Sequence, residues 1–460
     1  MNRIESTGRL AATLRDFTQL FSLSIFQKIL ATLTGFLYLF VLSPAAYGAW
    51  RSLATFFQIS IPGWTYLQTE FSRRRALADQ SWISAWRAVC LLSIAFGFVA
   101  ILLVHAGQVV ILGFFPAAQA YAALVVVGSF LFLTNPLKNC FTLWWQVTDR
   151  FSTHVRLQAF EQTLYVALLL VGFFIVKLGV VAVPLALVSA HTATIVLSLL
   201  RWLPSVSAGR DAHTFYLAHL SLVWQIFRGE GKWIMLREST WDWYEVGKVV
   251  VLNAFFPATT LGYLFAAETL ASYVTSILSV LQPALQVRMA TILDPAKRAA
   301  AFLQGARLMQ LAAWILYLTS LPALYLLIHF VFKNYVGAFV FYSFFALQLP
   351  WAAIGVVLTP YWFIFKEQRL LFRLTFERYI VEMGMLLGGV FIVGALPSVV
   401  IVAHLVAGYI YTVRRLQHLR HLSGTQFSLW RVFFPERQAF TDAAFVFRTH
   451  ILPFVRRRLV

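Results

Sequence analysis

The sequence predicts an all-α polytopic membrane protein with about 12 transmembrane helices. Three observations carry that prediction. The chain has 460 residues, of which 60% are hydrophobic and only 12% charged, a balance that excludes a soluble globular domain. The apolar runs are continuous over about 20 residues, the length a helix needs to cross a bilayer, rather than the alternating ten-residue segments of a β-barrel. The basic residues, which give a net charge of +19, sit in clusters between the runs. In a soluble protein such an excess would suggest nucleic acid as a partner; between membrane spans it marks the cytoplasmic loops instead, and no nucleic-acid partner is expected.

Taken in order, the spans are expected near 17–42, 46–69, 83–104, 119–146, 157–176, 180–203, 232–256, 259–286, 307–331, 338–363, 379–396 and 397–413. The first follows a polar, Arg-bearing start. It is too long for the apolar core of a cleavable signal and is read as a retained helix. The loops between spans then alternate in charge. One set holds Arg73-Arg74-Arg75, Arg150, Arg156, Arg201, Arg210, Arg288, Lys297, Arg298, Lys366, Arg369, Arg373, Arg414 and Arg415, whereas the other holds only Lys177 and Lys333. A missed or extra span would scramble this asymmetry, so it supports an even count with both termini in the cytoplasm.

The spans fall six and six, as an N-terminal group over residues 1–203 and a C-terminal group over 232–413, joined by a cytoplasmic connection at 204–231. A weak parallel repeat relates the two groups. Pro44-Ala45-Ala46-Tyr47-Gly48 precedes a long span containing Pro62, and Pro257 through Gly262 precedes a long span containing Pro283; turn chemistry alone could also put Pro and Gly at both places. The tail, 414–460, interleaves Phe445, Phe447 and Phe454 with Arg448 and Arg456-Arg457-Arg458. It reads either as an interfacial segment binding anionic lipid or as a disordered basic tail.

The seventh expected span is unusual, because it carries Lys232, Arg237, Glu238, Asp242, Glu245 and Lys248. Each ionisable group at mid-bilayer opposes insertion by about 2.5–3.5 kcal/mol. At helical spacing, Arg237, Trp241, Tyr244 and Lys248 form one stripe, and Glu238, Asp242 and Glu245 form a second beside it. Either the stripes line a hydrated interior, or the charged part is a cytoplasmic ramp and the span begins near Trp243. The two cysteines lie inside apolar runs and give no disulfide framework, and no metal spacing is present. His191, His329 and His404 are scattered and are read as packing residues.

Three stretches carry a resemblance to a known family. Ser24–Arg75 has a first helix with a polar pair, Gln27-Lys28, a short turn with Tyr47-Gly48 and a second helix ending in basic residues. Leu133–Phe160 contains TNPLKNCFTLWWQVTDRF, and Leu261–Ile292 has a Gly-Tyr start and a proline near its far end. The pattern resembles the oligosaccharide and polysaccharide lipid flippases (O-antigen or exopolysaccharide) of the multidrug/oligosaccharidyl-lipid/polysaccharide exporter superfamily. The resemblance implies two six-helix lobes around a central cavity that opens alternately to each side of the bacterial inner membrane. It implies a polyprenyl-diphosphate-linked oligosaccharide as substrate, and other polysaccharide-assembly membrane proteins as candidate partners.

A diphosphate-sugar head group needs cations for its phosphates and amides or aromatic faces for its hydroxyls. Lys28, Arg51, Lys138, Arg237 and Lys248 are the expected cavity cations, with Gln27, Gln58, Trp241 and Tyr244 as polar and aromatic contacts. Arg51 could instead snorkel to the interface, and Lys138 could pair with lipid phosphate or Asp149. Trp144-Trp145 reads more readily as an interfacial belt than as a sugar platform. The intramembrane acids Glu161, Asp242, Glu245, Glu268 and Glu382 are candidates for coupling to H⁺ or Na⁺, Glu268 foremost. No other cofactor is expected, since the phosphate-binding GxxxxGK[ST] pattern is absent. A drug or metabolite exporter of the same superfamily is the alternative. A membrane-embedded glycan polymerase or glycosyltransferase is disfavoured, because the outside loops hold no Asp or Glu for acid/base work, and the chain is not expected to be an enzyme.

Overall fold

A computed structural model describes residues 28–59, 64–77, 81–148, 150–206, 231–279, 295–365 and 367–423, together with Phe26, Ser221, Val223, Trp224, Arg228 and Val432. The described residues are nearly all helical and contain no strand. They fall into two compact units that divide between Phe265 and Ala266. The basic tail beyond Ser423, apart from Val432, lies outside the described residues, as does most of the connection at 207–230.

The first unit begins with α1 (Lys28–Val41). Ser43 stops the chain in an extended conformation, its hydroxyl accepts from the Ala46 amide, and Pro44 starts α2 (Pro44–Phe57). Proline belongs there because its missing N–H is one the first helical turn cannot use. α3 (Trp64–Ala76) ends in the three arginines. The expected span at 46–69 is therefore carried by two helices, with 60–63, which includes Pro62 and Gly63, outside the described residues. α4 (Ser81–Ala106), α5 (Gln108–Phe114), α6 (Ala122–Ser129), α7 (Leu131–Val147), α8 (Phe151–Leu170) and α9 (Ala182–Val206) follow. A π-helical turn, Val171–Ile175, extends α8. The unit continues through α10 (Lys232–Phe255) into the start of α11 (Ala258–Ser279).

Aromatic packing holds this unit together at one end. Trp82 and Trp86 of α4, Trp144 of α7 and Trp202 of α9 meet with ring centroids 4.6–6.2 Å apart, and the Trp86 indole N–H donates to the Cys140 carbonyl at 2.8 Å. Trp145 is only 1% exposed. Packing against Trp82, Trp86 and Trp202, residues far away in sequence, decides the place of Trp144. α4 can approach α7 closely because Gly97 faces the Leu133 backbone, where a methyl group would stand 2.6 Å from Leu133 Cα.

The second unit contains α12 (Pro295–Phe330), α13 (Ala338–Phe345), α14 (Leu349–Phe365), α15 (Gln368–Val393) and α16 (Pro397–Ser423). The Tyr342 hydroxyl donates to Ser320 at 2.6 Å, tying α13 to α12, and the Gln310 amide of α12 donates to the Pro350 carbonyl. α15 and α16 form a tight hairpin. Gly394 sits at φ +91°, a conformation open to glycine and strained for other residues, and lets the chain reverse before Pro397.

Eight helical stretches among the described residues are long and apolar enough to cross a membrane: Ser81–Ala106, Pro116–Val147, Ser152–Ile175, Gly179–Trp202, Ala258–Ser279, Ala301–Phe330, Ala338–Leu358 and Pro397–His421. Each overlies one of the expected spans. Their outward side chains are large and apolar. Leu102 and Phe330 are 69% and 72% exposed, which hydrocarbon favours and water does not. The chain is a multi-pass membrane protein. The remaining expected spans correspond to α1, of which only 14 residues are described, to the α2–α3 pair, and to α10 and α15, whose charges set them apart from the eight.

Candidate functional site: two buried glutamate–histidine pairs and a charged helix

In the first unit, α7, α8 and α9 bring Lys138, Glu161 and His191 together. Lys138 Nζ lies 3.1 Å from Glu161 Oε1 and 3.4 Å from His191 Nε2, and the same Nε2 lies 3.4 Å from Glu161 Oε1. Glu161 and His191 are 6% and 4% exposed. His191 Nε2 therefore faces both an ammonium, which only donates, and a carboxylate oxygen, which only accepts, while its Nδ1 has no hydrogen-bond partner among the described residues. About two turns along the same helices, Gln146 donates to His154 at 3.1 Å. Glu161 is therefore the partner of Lys138, whereas Asp149 lies outside the described residues.

In the second unit, α15 and α16 pair Glu382 with His404. Nδ1 of His404 lies 2.9 Å from Glu382 Oε1, and Nε2 lies 3.2 Å from Oε1 of Gln348, in the turn ahead of α14. The other carboxylate oxygen, Oε2, lies 3.6 Å from Nε of Arg378, one helical turn back. The Arg378 guanidinium also stacks over Trp351 and Tyr411, 5.6 Å from each ring centroid. A cleft beside it is lined by Glu377, Arg378, Tyr411 and Arg414.

His191 and His404 thus each contact a buried glutamate through a ring nitrogen, beyond the packing role the sequence suggests. Their partners stand 30 and 22 residues away, beyond any local spacing rule. A repeat-level signal was present in the sequence: Ala190-His191 and Ala403-His404 fall in the sixth and twelfth expected spans, one span after Glu161 and Glu382.

α10 is one continuous helix through both of its stripes. Lys248 is 7% exposed, with Nζ 3.0 Å from Glu245 Oε2 and 5.7 Å from the Tyr244 ring. Trp241, 45% exposed, stands 6.5 Å from Tyr244. Exposure along the cationic stripe therefore falls from Trp241 to Lys248. Arg237, Glu238 and Asp242 are half-buried. The helix is anchored on α2 near its end, where the Asn253 amide donates to the Ser52 hydroxyl at 3.0 Å.

The other expected site residues are spread along the chain. Lys28 is half-buried at the start of α1, Arg51 half-buried within α2, and Gln58 exposed at the end of α2. Glu268 is half-buried in α11. Gln27 lies outside the described residues.

No family model matches the sequence, and no curated protein does. Solved structures do match the fold. One, described as "Lipid II flippase MurJ, inward closed conformation", aligns at a TM-score of 0.65 and 12% identity, covering 94% of this chain and 93% of that one. A multidrug resistance MATE family transporter of the MOP superfamily, in an inward-facing conformation, aligns at 0.61 and 12% identity over 87% and 96% of the two chains. A MOP superfamily transporter from Pyrococcus furiosus, described as having a binding pocket of reversed polarity, aligns at 0.55 and 13% identity over 88% and 94%. At these identities the likeness is one of fold.

Proposed function

We propose that this chain is a flippase. It moves polyprenyl-diphosphate-linked oligosaccharide from the cytoplasmic to the outer leaflet of a bacterial inner membrane, by alternating access, for polysaccharide assembly. Both termini are cytoplasmic in this reading, and the basic tail rests on anionic lipid. The fold supports transport, since a lipid flippase and drug transporters share it over nearly the whole chain.

The observation that carries the choice of an anionic substrate is Lys248. Its ammonium is buried on α10, stacked by Tyr244 and held by Glu245, about three turns along the same face from Arg237. A buried ammonium is costly unless paired, and a diphosphate passing Arg237 and Lys248 would offer charge-assisted hydrogen bonds in place of Glu245. Glu245 then acts as a stand-in for phosphate between cycles. Coupling to H⁺ or Na⁺ falls to the buried acids.

Reconstitution tests the reading. Purified protein in proteoliposomes containing a polyprenyl-diphosphate-linked oligosaccharide should deliver the sugar to the far side in a protein-dependent way. No delivery, together with uptake of a cationic dye by the same vesicles, would replace the flippase reading with that of a drug exporter.

A further inference from the structure

The α15–α16 hairpin carries a cleft of about 200 Å³ for which the transport reading has no use. Its lining combines two kinds of side chain. Glu377, Arg378, Tyr411 and Arg414 are polar, whereas Ile380, Val381 and Ile410 are apolar. The two helices run antiparallel, so the polar members fall toward one end of the hairpin and the apolar ones toward its middle. We infer that this cleft seats the phosphate of an anionic phospholipid, with the upper part of its acyl chains lying on the two isoleucines.

Arg378 is positioned for an anion. Its guanidinium stands over the rings of Trp351 and Tyr411, 5.6 Å from each, contacts that fix it without using its N–H groups. Its Nε lies 3.6 Å from Glu382 Oε2, an ion-pair separation too long for a hydrogen bond. The guanidinium makes no hydrogen bond among the described residues, although the side chain is only 14% exposed. Donors so far withdrawn from water are costly unless they meet an acceptor. The terminal nitrogens form the fork that two phosphate oxygens match. Arg414, exposed on α16, makes no ion pair among the described residues either, and it lines the same cleft.

Charge and depth select the ligand. The two arginines outnumber Glu377, which is itself engaged by Arg373, whose Nε donates to it at 3.0 Å. The cleft is therefore net positive, and a monoanionic phosphodiester balances it. Arg378 is ten residues from the start of α15 at Gln368, and Arg414 is nine from the end of α16 at Ser423, so both stand roughly 15 Å from the same end of the hairpin. Toward that end the helices carry Arg369, Arg373, Gln417 and Arg420, and away from it Val402 and Val406 are exposed. The cleft lies where apolar surface gives way to polar surface, the level of lipid phosphates.

A soluble anion reaches the same arginines but leaves the isoleucines uncovered. Ile380 and Ile410 are 56% and 40% exposed, and a phospholipid covers them with its chains while its phosphate meets the arginines. The size agrees. A cleft of about 200 Å³ is smaller than the roughly 300–1,000 Å³ that encloses a whole small molecule, which suits a ligand that seats its head and keeps its tails in the bilayer. The site is distinct from the basic tail, whose arginines stand at 448 and 456–458. It rests on the hairpin alone and on no statement about the transported substrate.

The test is photo-labelling of the full chain in lipid nanodiscs, using phosphatidylglycerol with a diazirine near the top of one acyl chain and the matching phosphatidylcholine as comparison, read by peptide mass spectrometry. At the segments containing Ile380 and Ile410, phosphatidylglycerol should label about fivefold more than phosphatidylcholine, and along Ser81–Ala106 the two should label alike. Arg414→Gln and Arg378→Gln should each remove most of that excess, and Glu377→Gln, which takes the acid out of the cleft, should increase it. Arg456→Gln with Arg457→Gln and Arg458→Gln should leave it unchanged. The melting temperature of each variant reports folding, and Arg414→Gln, at an exposed position, decides the matter should Arg378→Gln fail to fold. Equal labelling by the two lipids, or an excess indifferent to Arg414→Gln, would overturn the inference. So would an excess abolished by inorganic phosphate, which assigns the arginines to a soluble anion, or by a polyprenyl diphosphate, which assigns the cleft to the transported lipid.

Discussion

Gly48 and Gly262 meet backbone to backbone. A methyl group on Gly48 would stand 2.8 Å from the Gly262 nitrogen and 2.5 Å from the Ala258 carbonyl oxygen, and one on Gly262 would overlap the Pro44 carbonyl. These are the glycines of the two proline-led turns that suggest a repeat in the sequence. The first turns of α2 and α11 cross there, at a separation that only a missing side chain permits. Gly262→Ala is expected to destabilise the protein by about 1–3 kcal/mol, because backbone must move and no flexible side chain can yield. Gly384→Ala, whose methyl group would meet nothing within 4 Å, should change stability by under about 1 kcal/mol. Thermal unfolding in detergent, followed by helical circular dichroism, compares them.

Lys138 and Glu161 should be far more costly to separate than to replace together. Lys138→Met leaves a buried carboxylate facing only His191 and is expected to destabilise by about 3–5 kcal/mol, whereas Lys138→Met with Glu161→Gln removes both charges and recovers most of the loss. The same unfolding assay, run as a double-mutant cycle, reads the coupling.

Glu70, past the end of the second expected span, gives a pH dependence of known sign. Arg73, hydrogen-bonded to it at 2.8 and 2.7 Å, and then Arg74 at 3.0 Å, hold its carboxyl below the usual carboxylate range, against the opposing effect of burial. A lowered folded-state value contributes stability that is fully present above the unfolded value, about pH 4.3, and is lost as pH falls through the folded one. The difference in melting temperature between the natural chain and Glu70→Gln should therefore be constant at neutral pH and shrink below about pH 4.

Lys28→Ala and Lys248→Ala are each expected to reduce sugar delivery in proteoliposomes at least about tenfold, the loss of roughly one charge-assisted hydrogen bond to phosphate. Insertion and yield should be unchanged. Full delivery by both variants would remove these lysines from the substrate path.

The helical class and most spans were legible because hydrophobic run length and loop charge act locally, over about 20 residues. The stripes on α10 were legible for the same reason: Lys248, Tyr244 and Glu245 are three or four residues apart, and helical periodicity alone brings them together. Glu161–His191 and Glu382–His404 were not, because each pair joins two helices and its register depends on how those helices pack. Trp144 is a related case. An aromatic pair near a span end suggests an interface, and its packing against Trp82, Trp86 and Trp202 follows from no local spacing.

The π-helical turn at Val171–Ile175 makes α8 tolerant of one kind of lesion. A turn closed by i→i+5 bonds holds one residue more than an α-turn in nearly the same length, so the chain there carries a spare. Deleting Phe174, whose side chain is 53% exposed, can be absorbed by rewinding the turn as α-helix, leaving the flanks in phase. A deletion four residues after Glu161 has no such slack and would swing one flank by about 100° relative to the other. Along a single helix, then, length variants should be accepted at one turn and rejected two turns away.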